Sequence, residues 1–392
     1  MLKRYLEKRI VEDLREKMVF IAGPRQVGKT TLALEIGKLH FYDKTSYLNW
    51  DDRGDRKKML EETFNPEHEF IVYDEIHKYR HWKNYLKGIY DKNKSRFKIA
   101  VTGSARLDIF RRGGDSLIGK YRLFRLHPLS LNELIGRHSD TAPFEQLRFS
   151  PVVREAADAF ARLFKFGGFP EICLKGSERA LRLWHNERVD RLIKGEIRDL
   201  ENIRDLSALQ VMTELMPDKV GSLFSLNSLS EDLSVAHKTA MLWLDILERF
   251  YFSYRIRSFR GSKIKSLRKA PKVYLWDWSD IKNEAIRFEN NIASHLLKFC
   301  HYLNDAEGYK AELHFLRDID GRKVDFLVAV DGKPWFCVET KTQYKTIPSG
   351  LRYFVSRLNI PYAYQVVREA GVDELKDGIR TISADKFLTA LC

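Results

Sequence analysis

The sequence has few of the features that mark secreted, disulfide-rich or membrane proteins. Its 392 residues include only 4 cysteines. Because these are far apart and show no C-x-x-C spacing, neither a zinc site nor a disulfide framework is predicted. No apolar run approaches the roughly 18 residues that span a bilayer, and the charged segment Met1–Ile10 lacks the apolar core of a signal peptide. We therefore expect a cytoplasmic protein outside membranes, with the cysteines serving as small hydrophobic residues.

Length and charge suggest several domains and a polyanionic partner. A chain of this length is expected to form two or three domains, and its 44% hydrophobic and 31% charged residues are typical of soluble globular proteins. The net charge of +14 makes nucleic acid a candidate partner, since basic side chains release counterions from a polyanion. Basic proteins that bind no nucleic acid are also common, so the charge alone does not identify nucleic acid as the partner.

A phosphate-binding loop is the most specific motif in the chain. The stretch from Gly23 to Thr30 fits G-x-x-x-x-G-K-[ST], follows the apolar run 18–22 and precedes a helical pattern, as this motif requires. Backbone N–H groups and the helix N-terminus of such a loop bind phosphate. Lys29 is predicted to reach the β- and γ-phosphates of ATP, and Thr30 to ligate Mg²⁺. The predicted nucleotide-binding residues are Gly23, Pro24, Arg25, Gln26, Val27, Gly28, Lys29, Thr30 and Thr31.

Two acids at the end of an apolar run form the second motif. The run 69–73 closes on Asp74 and Glu75, at a spacing that fits strands alternating with helices. Asp74 is predicted as an outer-sphere partner of Mg²⁺, and Glu75 as the base that orients and deprotonates the attacking water. A strand ending at a solvated acidic turn is the alternative. The next apolar run, 97–104, ends at Thr102 and Ser104. These residues are predicted either to hydrogen-bond the attacking water or the γ-phosphate, or only to stabilise a turn.

The pattern changes along the chain from alternating strands and helices to helices alone. Residues 16–130 predict a doubly wound parallel sheet with its site at the strand C-termini. Further on, 229–244 predicts two short helices with a tight turn before an aromatic β-like run, which is typical of a winged helix-turn-helix. Such modules bind DNA or pair proteins. The acid-free basic run from Arg255 to Lys272 suits either a wing touching phosphates or a solvated hairpin.

Two carboxylates and a lysine form the last pattern. The runs 323–330 and 335–341, joined by a turn at Asp331-Gly332, predict a β-hairpin. In register, Asp325 on one strand and Glu339 and Lys341 on the other share a face. These residues predict either a site that holds Mg²⁺ and activates water for phosphodiester cleavage, or solvated charges on a sheet face.

The motifs also occur together in a combination known from one family. They are Gly23 to Leu32, Asp74-Glu75, Thr102-Gly103-Ser104, Pro128-Leu129-Ser130 with Glu133, Gly168-Phe169-Pro170-Glu171, Arg198-Asp199, Glu289-Asn290, and Asp325 with Glu339-Thr340-Lys341. In this combination the chain resembles prokaryotic AAA-type ATPases that carry a C-terminal domain of unknown function, DUF4143. The C-terminal pattern is similar to that of the PD-(D/E)XK restriction-endonuclease-like fold. The resemblance implies that Asp325, Glu339 and Lys341 match its catalytic positions and Glu289 an auxiliary acid.

We therefore predict an α/β protein with ATP and Mg²⁺ as cofactors. Its predicted parts are a P-loop AAA-type ATPase core (1–145), a helical lid (146–225), a winged-helix-like segment (226–268) and a nuclease-like α/β domain (269–392). The predicted function is Mg²⁺-dependent ATP binding and hydrolysis by a protein that acts on or binds DNA through the basic winged-helix segment and the nuclease-like C-terminal domain. The alternative is an ATP-driven switch acting on a protein partner, with the C-terminal domain as an inactive docking module. A homo-oligomer is left open, since AAA relatives often form rings. The predicted metal ligands are Thr30, Asp74, Asp325 and Glu339.

Overall fold

The computed structural model describes residues 2–103, 117–139, 141–150, 154–198, 203, 205–259 and 270–392. Apart from the terminal residues, the chain divides into two compact units. The first contains Lys3–His127 with Arg249–Tyr251, and the second contains Pro128–Glu248 and Phe252–Cys392. The predicted divisions at residues 145, 225 and 268 fall within the second unit, and the four-part division stays a prediction. Within the described ranges, no helix combines the length and the apolar character needed to cross a bilayer.

A parallel sheet forms the centre of the first unit. Its strands are β1 (Met18–Ala22), β2 (Thr45–Asn49), β3 (Phe70–Asp74), β4 (Lys98–Gly103) and β5 (Tyr121–Arg125). They follow the order β2-β3-β4-β1-β5, and each neighbouring pair is parallel. β1 and β3 are buried along their whole length, as the apolar runs 18–22 and 70–73 require, since strands of such sheets are covered on both faces. The predicted parallel sheet is confirmed.

The helices of this unit lie before and between its strands in the sequence. They are α1 (Glu7–Asp13), α2 (Lys29–His40), α3 (Arg53–Leu60) and α4 (Trp82–Asn93), with a 3₁₀ turn at Ile76–Lys78. The carboxylate of Asp52 caps α3 by accepting the N–H of Asp55 at 2.8 Å. Gly28 precedes α2 with φ of 95°, in the left-handed region that favours glycine. This turn brings the end of the phosphate loop to the first residue of α2.

A mixed sheet organises the second unit. Its strands are β6 (Ser253–Ser258), β7 (Lys272–Leu275), β8 (Ala311–Arg317), β9 (Lys323–Val330), β10 (Lys333–Lys341), β11 (Tyr362–Val367), β12 (Asp373–Lys376) and β13 (Ile379–Ser383). Their order is β12-β13-β11-β10-β9-β8-β6-β7. β9 and β10 pair antiparallel, and Asp331 and Gly332 between them have φ of 50° and 74°, as a type I′ turn requires. The predicted hairpin is therefore confirmed.

Helices surround this sheet, and the longest described one is fastened to its edge. They are α5 (Leu131–Leu134), α6 (Arg154–Phe166), α7 (Pro170–Lys175), α8 (Glu178–Leu192), α9 (Leu206–Lys219), α10 (Leu226–Asp232), α11 (His237–Arg249), α12 (Glu284–Asp305), α13 (Ser349–Leu358) and α14 (Ala384–Phe387). The Asn283 side chain caps α12. The amide of Asn290 bonds both the N–H and the C=O of Leu275 at 2.8 Å. This pair of hydrogen bonds ties α12 to β7.

The segment predicted as a winged helix contains the expected helix pair, α10 and α11. The strand that follows, β6, pairs antiparallel with β7 and parallel with β8, so it belongs to the large sheet of the second unit. Arg255 on β6 forms ion pairs with Glu248 and, at 2.7 Å, with Asp245. Most of the basic run, residues 260–269, lies outside the described residues. The winged-helix interpretation stays a prediction.

Candidate functional site

The phosphate loop connects β1 to α2, as the motif predicts. Gly23 stands where the loop touches the chain that leaves β5. A Cβ atom at this position would lie 2.3 Å from the carbonyl oxygen of Leu126, whose N–H donates to Ala22 at 2.7 Å. Because no side chain fits into that distance, the start of the loop requires glycine.

The ammonium group of Lys29 lies inside the loop. The residue is only 7% exposed, and its Nζ donates to the carbonyl oxygens of Gly23 at 3.0 Å and Pro24 at 2.8 Å. These carbonyl groups hold the ammonium inside the loop without neutralising its charge. Of the other predicted loop residues, Val27 is buried, and those exposed to solvent are Arg25, Gln26 and Thr31.

Asp74, at the end of β3, collects hydroxyl donors from three other elements. Its Oδ2 accepts from Thr30 of α2 at 2.9 Å and from Tyr47 of β2 at 2.8 Å. Its Oδ1 accepts from Thr102 of β4. The structure thus brings together Thr30 and Asp74, which the sequence predicted at one Mg²⁺ site. A hydroxyl and a carboxylate at this distance are oxygen ligands of the kind that Mg²⁺ prefers alongside phosphates and water.

Tyr47 is a site residue that sequence reasoning missed. Burial, followed by the hydrogen bond to Asp74, raises the pKa of its hydroxyl, so the group remains a donor at neutral pH. The only signal in the sequence was its place near the end of β2, the strand next to β3. Thr102, predicted to contact water or the γ-phosphate, is fully buried against Asp74 instead. Ser104 lies outside the described residues.

Glu75 has a left-handed backbone conformation that is unusual for its residue type. Its φ and ψ are 56° and 17°, a conformation that costs about 1–2 kcal/mol for a residue with a side chain. Such strain is concentrated at functional sites. Its N–H donates to the carbonyl oxygen of Thr102 at 3.0 Å, which holds the residue at the sheet edge beside Asp74.

Basic side chains flank the Glu75 carboxylate. Its Oε2 lies 3.5 Å from Nζ of Lys78 and 3.7 Å from Nε2 of His77. Burial lowers the pKa of His77, which favours the neutral imidazole. Burial also acts to lower the pKa of Lys78, but Asp51, 2.6 Å away, and Glu75 outweigh it and raise that pKa. Glu75 is therefore held beside an ammonium group that it shares with Asp51.

The N-terminal segment anchors the loop through Arg4, a second residue that the sequence analysis missed. Its guanidinium donates to the carbonyl oxygen of Val27 at 2.7 Å and to that of His127 at 2.6 Å. The residue is buried, so these charge-assisted bonds are shielded from water. Arg4 thereby joins the phosphate loop to the chain after β5.

A second cluster of ionisable groups lies on the large sheet. Thr340 of β10 donates to Oδ2 of Asp325 on β9 through its N–H at 3.0 Å and its hydroxyl at 2.7 Å. Nζ of Lys341 lies 2.6 Å from Oε1 of Glu339, and Oε2 of Glu339 accepts the N–H of Asp325 at 3.3 Å. The structure therefore brings the three predicted residues together. Glu289 of α12 belongs to the same cluster, because Nζ of Lys272 lies 2.9 Å from Oε1 of Glu289 and 3.8 Å from Oδ1 of Asp325.

Burial and mutual repulsion control the charges in this cluster. Burial, followed by the negative charge of Asp325, raises the pKa of Glu339 to about 7 and also raises that of Glu289. For Lys272 and Lys341, burial acts to lower the pKa, but the neighbouring acids outweigh it and the pKa of each lysine is raised. Both lysines are therefore ammonium groups at neutral pH.

The cluster does not fit a divalent cation well. In the part of the chain that the structure describes, no group of three or more His, Cys, Asp or Glu side chains is arranged to hold a metal ion. Each carboxylate instead accepts protein donors, and Glu339 and Glu289 accept from ammonium groups. The predicted metal role of Asp325 and Glu339 stays a prediction that this geometry does not favour.

Family models match three parts of the chain. Residues 15–135 match the model described as an AAA domain. Residues 157–282 match a domain of unknown function, DUF8612, and residues 286–387 match another, DUF4143. The first match contains β1 to β5 and the phosphate loop, so the chain carries an AAA-type P-loop ATPase-like domain. The predicted DUF4143 region at the C-terminus is also confirmed.

Relatives with similar sequences include two uncharacterized proteins. MJ1544 of Methanocaldococcus jannaschii is 21% identical over 295 residues, which cover 72% of this chain and 65% of that protein. Rv2008c of Mycobacterium tuberculosis is 22% identical over 388 residues, which cover 96% of this chain and 82% of that protein. The match thus spans just under two thirds of the first relative's length.

Two solved structures of other proteins also align with the chain. The Thermotoga maritima RuvB Holliday junction branch migration motor aligns with a TM-score of 0.33 and 17% identity, covering 65% of this chain and 88% of that chain. AMPPCP-bound DnaA from Aquifex aeolicus aligns with a TM-score of 0.29 and 15% identity, covering 62% and 86%. Both TM-scores are low, so the ATPase interpretation depends on the family model and on the loop geometry.

Proposed function

We propose that the first unit binds ATP with Mg²⁺ and hydrolyses it. The observation that carries this proposal is the 2.9 Å contact between the Thr30 hydroxyl at the end of the phosphate loop and the Asp74 carboxylate at the end of β3. Two sequence motifs far apart in the chain thus meet at one sheet edge. Lys29, charged and buried in the same loop, provides the counter-charge that a phosphate chain needs.

Each residue of this edge has a distinct task in binding. The N–H groups of the loop and the Lys29 ammonium hold the β- and γ-phosphates. Thr30 would hold Mg²⁺ directly and Asp74 would hold it through bound water. When bound, this ion neutralises phosphate charge and orients the transferred group. Arg4 holds the loop in place by donating a hydrogen bond to the carbonyl oxygen of Val27.

Glu75 is proposed as the general base of the hydrolysis. Its carboxylate takes a proton from a water molecule, whose oxygen forms a bond to the γ-phosphorus. The bond from the γ-phosphorus to the bridging oxygen breaks, and ADP and phosphate are released. Lys78 and Asp51 are positioning residues in this step. The Lys78 ammonium lies 3.5 Å from the Glu75 carboxylate, and Asp51 holds that ammonium at 2.6 Å.

Glu75→Gln separates binding from chemistry. The amide preserves the shape of the side chain but cannot accept the proton, so we expect nucleotide affinity within about twofold of wild type and turnover reduced by about 10²-fold or more. Lys29→Ala should abolish binding. Exposed Glu67 of the same unit provides the matched control, Glu67→Gln, which should behave as wild type in both assays. Equal hydrolysis by wild type and Glu75→Gln would remove Glu75 from the mechanism.

DNA binding is the second candidate function, and the net charge of +14 supports it. Two basic side chains of the predicted wing have other partners, since Arg255 pairs with acids of α11 and Lys272 lies in the carboxylate cluster. Exposed Arg257 and the undescribed residues 260–269 would then carry the contact. Affinity for a labelled duplex should fall at least tenfold between about 50 and 200 mM salt. A duplex that stays unbound near 50 mM salt would favour the switch acting on a protein partner.

For the second unit we propose docking in preference to cleavage. A nuclease centre of Asp325, Glu339 and Lys341 would need a divalent cation held between its carboxylates. Lys341 is ion-paired with Glu339 at 2.6 Å, and Asp325 accepts two bonds from Thr340. These contacts count against a nuclease centre, and of the two roles predicted for this domain they leave docking, while ATP turnover takes place in the first unit.

A further inference from the structure

Lys272 lies among the acids of the carboxylate cluster. Its Nζ is 2.9 Å from Oε1 of Glu289 and 3.8 Å from Oδ1 of Asp325, and the residue is 7% exposed. The ring of Phe315 lies beneath the ammonium, with its centroid 5.8 Å away, which is within cation–π range. Two carboxylates and an aromatic face together form a site suited to an ammonium group.

Backbone contacts on both sides hold Lys272 in this position. On one side, Lys272 pairs with Ile256 of β6 in the sheet. On the other side, its main chain forms an isolated antiparallel β-bridge with Leu223. Gly221 closes the same side of the cluster, since a Cβ atom there would lie 3.3 Å from Oε1 of Glu289. The main chain of Lys272 is therefore held on both sides, and its buried ammonium lies beside Glu289 and Asp325.

We infer that Lys272 takes the place of a divalent cation in this cluster, so that the second unit is not a metal-dependent nuclease. The protein supplies its own cation, and the acids hold β7, β9, β10 and α12 together.

The balance of charge supports this assignment. When all are ionised, the three carboxylates of Glu289, Asp325 and Glu339 and the two ammonium groups of Lys272 and Lys341 sum to −1. A divalent cation would change the sum to +1 and would lie beside a buried ammonium, which is costly in a low-dielectric site. Without Lys272 the sum would be −2, which one divalent cation balances.

The test compares Mn²⁺ binding by the full-length wild type and by Lys272→Met, both without nucleotide. Bound Mn²⁺ is counted by electron paramagnetic resonance, and the melting temperature is followed with and without about 1 mM Mn²⁺. The matched control is Lys376→Met on the exposed strand β12. The double variant Lys272→Met/Asp325→Asn reports whether any new Mn²⁺ site uses the cluster.

We expect no Asp325-dependent Mn²⁺ binding by wild type. Lys272→Met should melt roughly 6–12 °C lower, because a buried acid loses its partner, and Mn²⁺ should recover a large part of that loss. The double variant should lose the Mn²⁺ effect, and Lys376→Met should match wild type. Stoichiometric Mn²⁺ binding by wild type that disappears in Asp325→Asn would overturn the inference, as would a Lys272→Met protein indifferent to Mn²⁺.

Plasmid incubation keeps the inference testable if Lys272→Met does not fold. Wild type and Asp325→Asn are incubated with plasmid and single-stranded DNA, with Mg²⁺ or Mn²⁺ and with or without ATP. Intact DNA throughout supports the inference, whereas cutting by wild type that vanishes in Asp325→Asn refutes it. ATP hydrolysis measured in the same samples tests the proposed ATPase separately, since Asp325 belongs to the second unit and the residues of the proposed nucleotide site belong to the first.

Discussion

The two carboxylate sites of the protein differ in the donors that surround them. Asp74 accepts from the hydroxyls of Thr30, Tyr47 and Thr102. In the cluster of the second unit, Glu289 and Glu339 accept from the ammonium groups of Lys272 and Lys341. A hydroxyl orients a carboxylate and leaves its charge in place, whereas an ammonium neutralises it. The first arrangement leaves the negative charge that the proposed Mg²⁺ requires, and the second already has its cations.

The same comparison explains why similar residue types imply different chemistry. Both sites place an Asp on a buried strand with an acid nearby, and sequence patterns predicted a metal at both. Only the neighbours distinguish them, and those neighbours come from other elements: Tyr47 from β2 at one site, and Lys272 from β7 at the other. The donor set around a carboxylate is therefore better evidence of a metal than the carboxylate itself.

The largest expected effect concerns the pH dependence of the cluster. The pKa of Glu339 is raised to about 7 from 4.5, so between these values the folded protein holds a proton that the unfolded chain has released. The free energy of unfolding should therefore fall as pH rises through this interval, by about 3 kcal/mol from this group. Urea unfolding of wild type and Glu339→Gln at pH 5 and pH 7.5 measures the difference.

The variant isolates Glu339 because its amide does not titrate. Glu339→Gln should lose stability less steeply between the two pH values than wild type. Exposed Glu231 of the same unit supplies the control, Glu231→Gln, which should follow the wild-type slope. Identical slopes for wild type and Glu339→Gln would show that Lys341 keeps the carboxylate ionised and that burial does not control its charge.

A matched pair of amide substitutions tests the comparison of the two sites directly. Asp74→Asn removes the charge that Mg²⁺ needs and should reduce Mg²⁺-dependent ATP turnover roughly 10–100-fold. Asp325→Asn should leave ATP turnover within about twofold and instead lower the melting temperature, since Lys272 loses part of its ion pairing. A turnover assay and a thermal melt of both variants suffice. Equal loss of turnover in the two variants would contradict the separation of roles.

Local patterns in the sequence were enough for the strands and for the residues attached to their ends. The phosphate loop, the Asp74-Glu75 pair and the Asp331-Gly332 turn are each contiguous, and a contiguous segment has the same neighbours in the sequence as in the fold. The parallel sheet followed from apolar runs that alternate with helical patterns. These features were predicted because each depends on short-range geometry.

Residues that reach a site from a distant element were not predicted. Arg4 contacts Val27 and His127, and Lys272 contacts Glu289 and Asp325. In the sequence, Lys272 belonged to a basic run and was interpreted as part of a wing. Its true surroundings depend on the pairing of β7 with β6 and on the position of α12, which no local pattern specifies. Tertiary packing decided its role.

The smallest expected effect belongs to Tyr47→Phe, which removes one of the hydroxyl donors of Asp74. The carboxylate keeps its charge and its bonds from Thr30 and Thr102, and because Tyr47 is only partly buried, water can replace the lost donor. We expect the Mg²⁺ concentration for half-maximal ATP turnover to rise about threefold, with maximal turnover nearly unchanged. The measurement is a Mg²⁺ titration of the ATPase, with exposed Tyr42 of the same unit changed to Phe as the control. A loss as large as that of Asp74→Asn would mean that the tyrosine itself contacts the nucleotide. An unchanged titration would mean that Thr30 and Thr102 alone orient the carboxylate.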